Sequence, residues 1–141
     1  MKIHLGCGQK ILEGYVNVDK INYGQEKVMD AMEYLQETAM TPGVADEIKA
    51  EHFLEHFSQE DVIRILNFAH LILKENGEFK IVVPSIKRGE AYYIVHKTLF
   101  TLETFTMLSS KEYCDPYKIF SWQKVSGVVN DRGDLHVCLV K

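Results

Sequence analysis

The chain has 141 residues, 46% of them hydrophobic and 26% charged, with a formal net charge of -4. That length and balance fit a single globular domain over residues 1–141, with no repeat, linker or low-complexity tract. Acids and bases are interspersed without a long basic run, which argues against a large nucleic-acid footprint; no apolar stretch reaches the length of a bilayer span; and the scattered Cys7, Cys114 and Cys138 form no disulfide framework and fit a reducing cytoplasm.

Met1-Lys2 runs into a strand pattern, Lys2–Leu5, rather than a charged-then-apolar leader. This strand stops at Gly6-Cys7-Gly8. Tyr15–Asp19 alternates apolar and polar residues and predicts a second strand with an acid at its carboxyl end. Lys27–Asp30 reads as a third, again ending in an acid. Ala31–Glu37 predicts a short helix closed by Thr41-Pro42-Gly43, and Ala45–His52 a fourth strand. Ser58, with Asp61 three residues on, is an N-cap signature. Val62, Ile65, Leu66, Ala69, Ile72 and Leu73 then recur at helical spacing, with Lys74 in the last turn and Gly77 as a left-handed C-cap. Phe79–Val83 is a strand ending at Pro84. Phe100–Ser110 carries a helix pattern with Thr101 as cap. Ile119–Val129 and Leu135–Val140 read as strands joined by a tight turn at Asn130–Asp134.

Strands alternating with helices predict an α/β fold with a Rossmann-like, mostly parallel sheet, and the final tight turn makes its C-terminal hairpin antiparallel. Ligands of such sheets bind outside the carboxyl ends of the strands. Gly6-Cys7-Gly8, Asp19, Asp30 and His52 all fall at such ends, which predicts a small-molecule site there.

Gly6 and Gly8 allow a tight turn and close backbone approach to a ligand. Asp19 offers a carboxylate that can accept from both hydroxyls of a ribose; the plainer reading is a surface acid before a loop. A dinucleotide fingerprint places its acid about 20 residues beyond the glycines, after a full helix. Here only Cys7–Gly14 separates the two strands, too little for that helix. A diphosphate relies on the helix N-terminus to offset its charge, so the spacing disfavours NAD and tolerates a sulfonium nucleoside.

His4-Leu5-Gly6-Cys7-Gly8 followed by Gly14-Tyr15-Val16-Asn17-Val18-Asp19 resembles the opening of class I S-adenosylmethionine-dependent methyltransferases, in particular a bacterial subgroup with a shortened first helix. The resemblance continues through Ala45-Asp46-Glu47-Ile48, Phe53-Leu54-Glu55-His56, Leu73-Lys74-Glu75-Asn76-Gly77 and Pro84, and is looser beyond. It implies S-adenosyl-L-methionine as cofactor. By position in the motif, Gly6, Cys7 and Gly8 correspond to the glycine-rich loop and Asp19 to the ribose-binding acid. Asp30 and Ala31 correspond to the adenine end, and Glu51, His52 and Phe53 to the segment beside the methionine part. Two departures stand out: Lys10 replaces a frequent third glycine, and no extension precedes the first strand to act as a lid.

His52-Phe53-Leu54-Glu55-His56 is also a literal H-x-x-E-H, a pattern of zinc peptidases. That chemistry needs both imidazoles on one helical face, whereas Ser58 starts the helix only after His56. Methyl transfer is therefore preferred, zinc hydrolysis through His52, Glu55 and His56 is the minor alternative, and no metal is expected on that pair. His56 and Glu55 fit three roles: orienting the loop, contacting substrate, or acting as base. In-line displacement rests largely on positioning, and a base is needed only for a protonated acceptor. His52 and His56 are the candidate catalytic residues, with His52 the better placed as base. Tyr92, Tyr93 and His96, after the fifth strand, are candidate acceptor contacts or equally a core helix. Ser85–Tyr117 is the expected lid, with Lys87-Arg88-Gly89 as its mobile start. Cys7, His4, His136 and Trp122 read as packing residues, and His70 as solvated.

The leading function is methyl transfer to an unidentified acceptor. The alternative is a cofactor-binding module without catalysis, or one subunit of a heteromeric methyltransferase; a homodimer or a partner chain fits either.

Overall fold

The computed structural model describes residues 1–141. Its strands are β1 Lys2–Leu5, β2 Val16–Asp19, β3 Lys27–Val28, β4 Ala45–Glu51, β5 Leu73–Pro84, β6 Lys124–Val129 and β7 Asp134–Val140. They form one sheet in the order β3-β2-β1-β4-β5-β7-β6. β1 to β5 run parallel, and β7 lies antiparallel between β5 and β6. The helices are α1 Ala31–Thr38, α2 Gln59–Ile72, and the short α3 Leu102–Thr106 and α4 Lys111–Cys114. The Rossmann-like α/β sheet with an antiparallel hairpin is thus the one expected from the sequence.

The register divides the sheet into two unlike faces. Ile3, Leu5, Val18, Ile48, Ala50, Phe79, Ile81, Val83, Leu135, Val137 and Leu139 pair across strands on one face. They join the buried residues of α1, α2 and the segment between β5 and β6 in one core cluster of 29 residues. Gly127 lies on this face of β6 because α3 sits against it: an added Cβ would stand 2.7 Å from Leu102 Cδ1.

The opposite face alternates with the first and is charged. Lys80 pairs with Glu47 at 2.8 Å and with Glu78 at 3.0 Å, and Lys49 pairs with Glu51 at 2.8 Å. Parallel strands covered on both faces read as continuous apolar runs. The alternating Glu47-Ile48-Lys49-Ala50-Glu51, which follows a register shift after Ala45, is instead the pattern of a sheet with its apolar side chains on one face.

The link from β1 to β2 has no helix, and a buried asparagine organises it. Asn17 Nδ2 donates to Leu12 O at 2.9 Å and to Tyr15 O at 3.1 Å, while Asn17 Oδ1 accepts from Leu12 N at 2.9 Å. The side chain supplies the partners that a crossover helix would have given the loop backbone.

α2 starts as its sequence demands: Ser58 Oγ accepts from Asp61 N at 3.2 Å and donates to the Asp61 carboxylate at 3.0 Å. Its end differs from expectation. Leu73 is already extended and pairs with Ala45, so Lys74 lies beyond the helix. The left-handed residue is Asn76, at φ 63°, not Gly77. Gly77 is required for another reason, since a Cβ there would lie 2.8 Å from Lys74 O. β6 likewise begins only at Lys124. The stretch before it is held by α2: Asn67 Nδ2 donates to Lys118 O and Asn67 Oδ1 accepts from Phe120 N, both at 2.9 Å. No helix is long and apolar enough to cross a membrane.

Candidate functional site

At the carboxyl ends of the strands lies a pocket of about 590 Å³ whose walls include Gly6, Asp19, Asp30, Ala31, His52 and His56. Residues that were far apart in the sequence converge there, as the strand-end argument requires. Gly6 turns the chain at φ 61°, and its missing Cβ leaves room for the Phe53 ring, which packs edge-on against Phe57 at 4.7 Å. The two rings, also pocket-lining, form an apolar wall. Gly8, at φ 52°, faces open space.

Asp19 is fixed at the end of β2. One carboxylate oxygen accepts from Gly8 N and the other from Ile21 N, each at 2.9 Å. A carboxylate offers about four acceptor positions, so each oxygen retains capacity toward the pocket. Asp30 caps α1: its Oδ1 accepts from Met32 N at 2.8 Å and Glu33 N at 3.3 Å, leaving Oδ2 free.

Cys7 and Glu51 are placed differently from the residues around them. Cys7 is buried, its amide donates to Val18 O, and burial pushes its thiol pKa up, with the Asp19 charge adding to this. Glu51 lies on the charged face of the sheet, bound by Lys10 and Lys49, and lines a neighbouring recess rather than the pocket of Asp19. Burial alone would raise its pKa; hydrogen bonds from the two lysines overcome that and hold it at about 2.

His52 stands where three recesses meet. It adopts a left-handed conformation, φ 49°, as its amide donates to Val82 O at 2.7 Å. Positive φ in a non-glycine residue is uncommon, and here it turns the chain out of β4. Its Nδ1 faces the Glu55 carboxylate at 3.5 Å and its Nε2 faces Asp134 at 3.9 Å. The Glu55 contact pushes the His52 pKa up; burial opposes this and Asp134 adds to it.

A recess of about 280 Å³ adjoins the pocket, with His52, Glu55, His56, Arg88, Tyr93 and His96 among its walls. It brings together the candidate catalytic histidines and two of the candidate acceptor residues. Tyr92 turns away, its hydroxyl donating to Ile86 O at 3.0 Å. The stretch Lys87–Gly89 is not a loose hinge. Arg88 binds Glu90 at 2.9 Å and also Asp134, tying the segment to the start of β7.

Several walls of the pocket lie outside the sequence motifs. Ile21, Tyr23, Phe57, Asp61 and Lys97 line it as well. Phe57 had a visible signal, four residues after Phe53; Lys97 had none, because a long-range clamp brings it in, Lys97 N donating to Glu55 O at 2.7 Å.

No protein-family profile matches the chain, and no curated protein matches it in sequence. Solved structures do match in fold. A SAM-dependent methyltransferase from Archaeoglobus fulgidus aligns at TM-score 0.71 and 17% identity, over 99% of this chain and 85% of that one. The Burkholderia thailandensis 1,6-didemethyltoxoflavin-N1-methyltransferase, solved with bound 1,6-didemethyltoxoflavin and S-adenosylhomocysteine, aligns at TM-score 0.61 and 15% identity, over 99% of this chain and 70% of that one. The methyltransferase domain of the bacterial CtHen1 aligns at 0.60 and 11%, over 99% and 89%. The chain therefore has the fold of the S-adenosylmethionine-dependent methyltransferases.

Proposed function

We propose that this protein is an S-adenosyl-L-methionine-dependent methyltransferase acting on an acceptor bound beside His52. The observation that carries the reading is the convergence of Gly6, Asp19, Asp30 and Ala31 on one pocket at the carboxyl ends of β1 to β4. The pocket fits the cofactor chemically. Asp19 has free acceptor capacity for ribose hydroxyls, Asp30 Oδ2 is unengaged, and Phe53 and Phe57 provide an apolar wall. S-adenosylhomocysteine bound in the Burkholderia relative supports the same choice.

The cofactor, when bound, supplies an electrophilic methyl group. The chain's own residues hold the partners in line, which is where much of the rate of such a displacement originates. His52 and His56 lie on both the pocket and the adjoining recess. His52 is the group to take a proton from a hydroxyl or amine acceptor, with Glu55 and Asp134 stabilising the imidazolium. Tyr93 and His96 contact the acceptor, whereas Cys7 contributes through its backbone and Glu51 by anchoring the loop through Lys10. The unpaired Cys7, Cys114 and Cys138 support a reducing, cytoplasmic setting.

A second reading, a cofactor-binding subunit completed by another chain, is favoured by the exposed apolar run Tyr92, Tyr93, Ile94 and Val95 beside the recess. One experiment separates the two. The purified chain is incubated with labelled S-adenosylmethionine and a size-fractionated extract of small molecules. The enzyme reading predicts S-adenosylhomocysteine and labelled product; binding without turnover favours the subunit.

A further inference from the structure

Beside the pocket, the chain carries a second set of groups with chemistry of its own. One ligand atom from each of Glu55, His56 and His96 lies within 4.8 Å of the others. His56 and Glu55 belong to a single 3-10 turn after β4, while His96 comes from beyond β5. Two segments distant in sequence are clamped to make this meeting. Lys97 N donates to Glu55 O at 2.7 Å, Thr98 N to the same oxygen at 3.3 Å, and Thr98 Oγ1 to Phe57 O at 2.7 Å. The His56 and His96 rings stand edge to face at 4.8 Å.

The cluster leaves polar atoms without partners. Glu55 is 1% exposed, and its Oε2 is buried with no hydrogen-bond partner. His96 Nδ1 is also buried and unpartnered. Buried polar groups are nearly always satisfied, and each exception calls for an explanation, a bound ion among them. A carboxylate oxygen and an imidazole nitrogen beside a second imidazole are the donor set of a transition-metal ion.

We infer that Glu55, His56 and His96 bind one divalent transition-metal ion, Zn²⁺ or a neighbour in the first row. Hard ions such as Mg²⁺ and Ca²⁺ prefer all-oxygen donors, so the two imidazoles select against them. Donors bonded to one ion at ~2.1 Å stand about 3.4 Å apart in a tetrahedron. The present spread of up to 4.8 Å requires the side chains to draw together when the ion binds. His52, which sits against the Glu55 carboxylate, orients the ligand rather than binding the ion. Glu55, His56 and His96 all line the recess that also holds Tyr93 and Arg88. This ligand set differs from an H-x-x-E-H pair because His96 replaces His52. The inference does not rest on methyl transfer.

The test uses tag-free protein stripped with a chelator and titrated with ZnCl₂ by calorimetry, with visible absorption of the Co²⁺ form as a second readout. One equivalent should bind, and His56→Ala and His96→Ala should each weaken it more than His52→Ala does, the loss of an orienting group costing about 10–100-fold. The exposed His56 side chain makes the first variant safe for folding, and circular dichroism checks the second. His52→Ala should retain the one-equivalent stoichiometry. No saturable binding, binding unchanged in both His56→Ala and His96→Ala, or loss in His52→Ala with retention in His96→Ala would each overturn the assignment.

Discussion

Gly6 and Phe53 occupy one another's space so closely that a Cβ at position 6 would lie 2.3 Å from Phe53 Cδ2. Gly6 also holds φ at 61°, where a side chain is strained. Gly6→Ala combines overpacking with this strain and should destabilise the protein by about 2–4 kcal/mol. Urea denaturation measures the loss. In the Phe53→Ala background the same change should cost clearly less, because the ring that blocks the Cβ is gone; equal costs in the two backgrounds would refute the contact.

Asn17 is fully buried and serves Leu12 on both donor and acceptor sides. Asn17→Leu leaves those loop groups without partners and should cost about 2–4 kcal/mol. Amide exchange should speed up at Leu12 while β4 stays protected. A neutral result would mean that the loop finds its partners elsewhere.

The acid side of the stability curve should carry a contribution from Glu51. Its folded pKa, about 2, lies below the ordinary value because Lys10 and Lys49 outweigh the effect of burial. A depressed pKa gives stability that is full above the unfolded pKa and lost as pH falls through the folded one. The wild type should therefore lose about 1–3 kcal/mol relative to Glu51→Gln as pH falls from roughly 4.5 to 2. Parallel stability curves for the two proteins across that window would contradict the pairing.

Arg88 fastens the segment after β5 to the final hairpin. Its stem packs on Gly133, whose added Cβ would lie 3.0 Å from Arg88 Cβ, and Ser85 N donates to Gly133 O at 3.0 Å. Arg88→Ala should raise hydrogen exchange at Ser85 and Ala91 and leave Phe79–Val83 unchanged. Unaltered protection at Ser85 would show that the segment is held by other contacts.

The fold was largely legible because local signals and sheet register agree. Alternation in β2 and β4 sets the two faces, and Ser58 with Asp61 fixes the start of α2. The end of α2 was not legible: pairing of Leu73 with Ala45 draws the chain into the sheet before Gly77, and no local signal carries that long-range pairing. The same holds for Ile119–Gln123, where Asn67 captures a stretch whose composition suits a strand. Within the pocket, Gly6, Asp19 and Asp30 were readable from the ends of the expected strands, since a parallel sheet gathers such positions on one edge, while Ala31 was implied only by the family resemblance. Glu51 was not, because neighbouring strand positions point to opposite faces and its lysine partners decide where the carboxylate rests. His96 was readable as a residue type, but its meeting with His56 depends on the backbone clamp at Glu55.

In the proposed function, Asp19 holds the ribose of an S-adenosyl ligand. Calorimetric titration of the purified chain with S-adenosylhomocysteine tests it most directly, comparing wild type with Asp19→Ala after urea denaturation has shown that the variant is folded. The wild type should show saturable one-site binding, weakened in the variant by about 1–3 kcal/mol through loss of charged hydrogen bonds. No binding by the wild type, or equal binding by the folded variant, would contradict it.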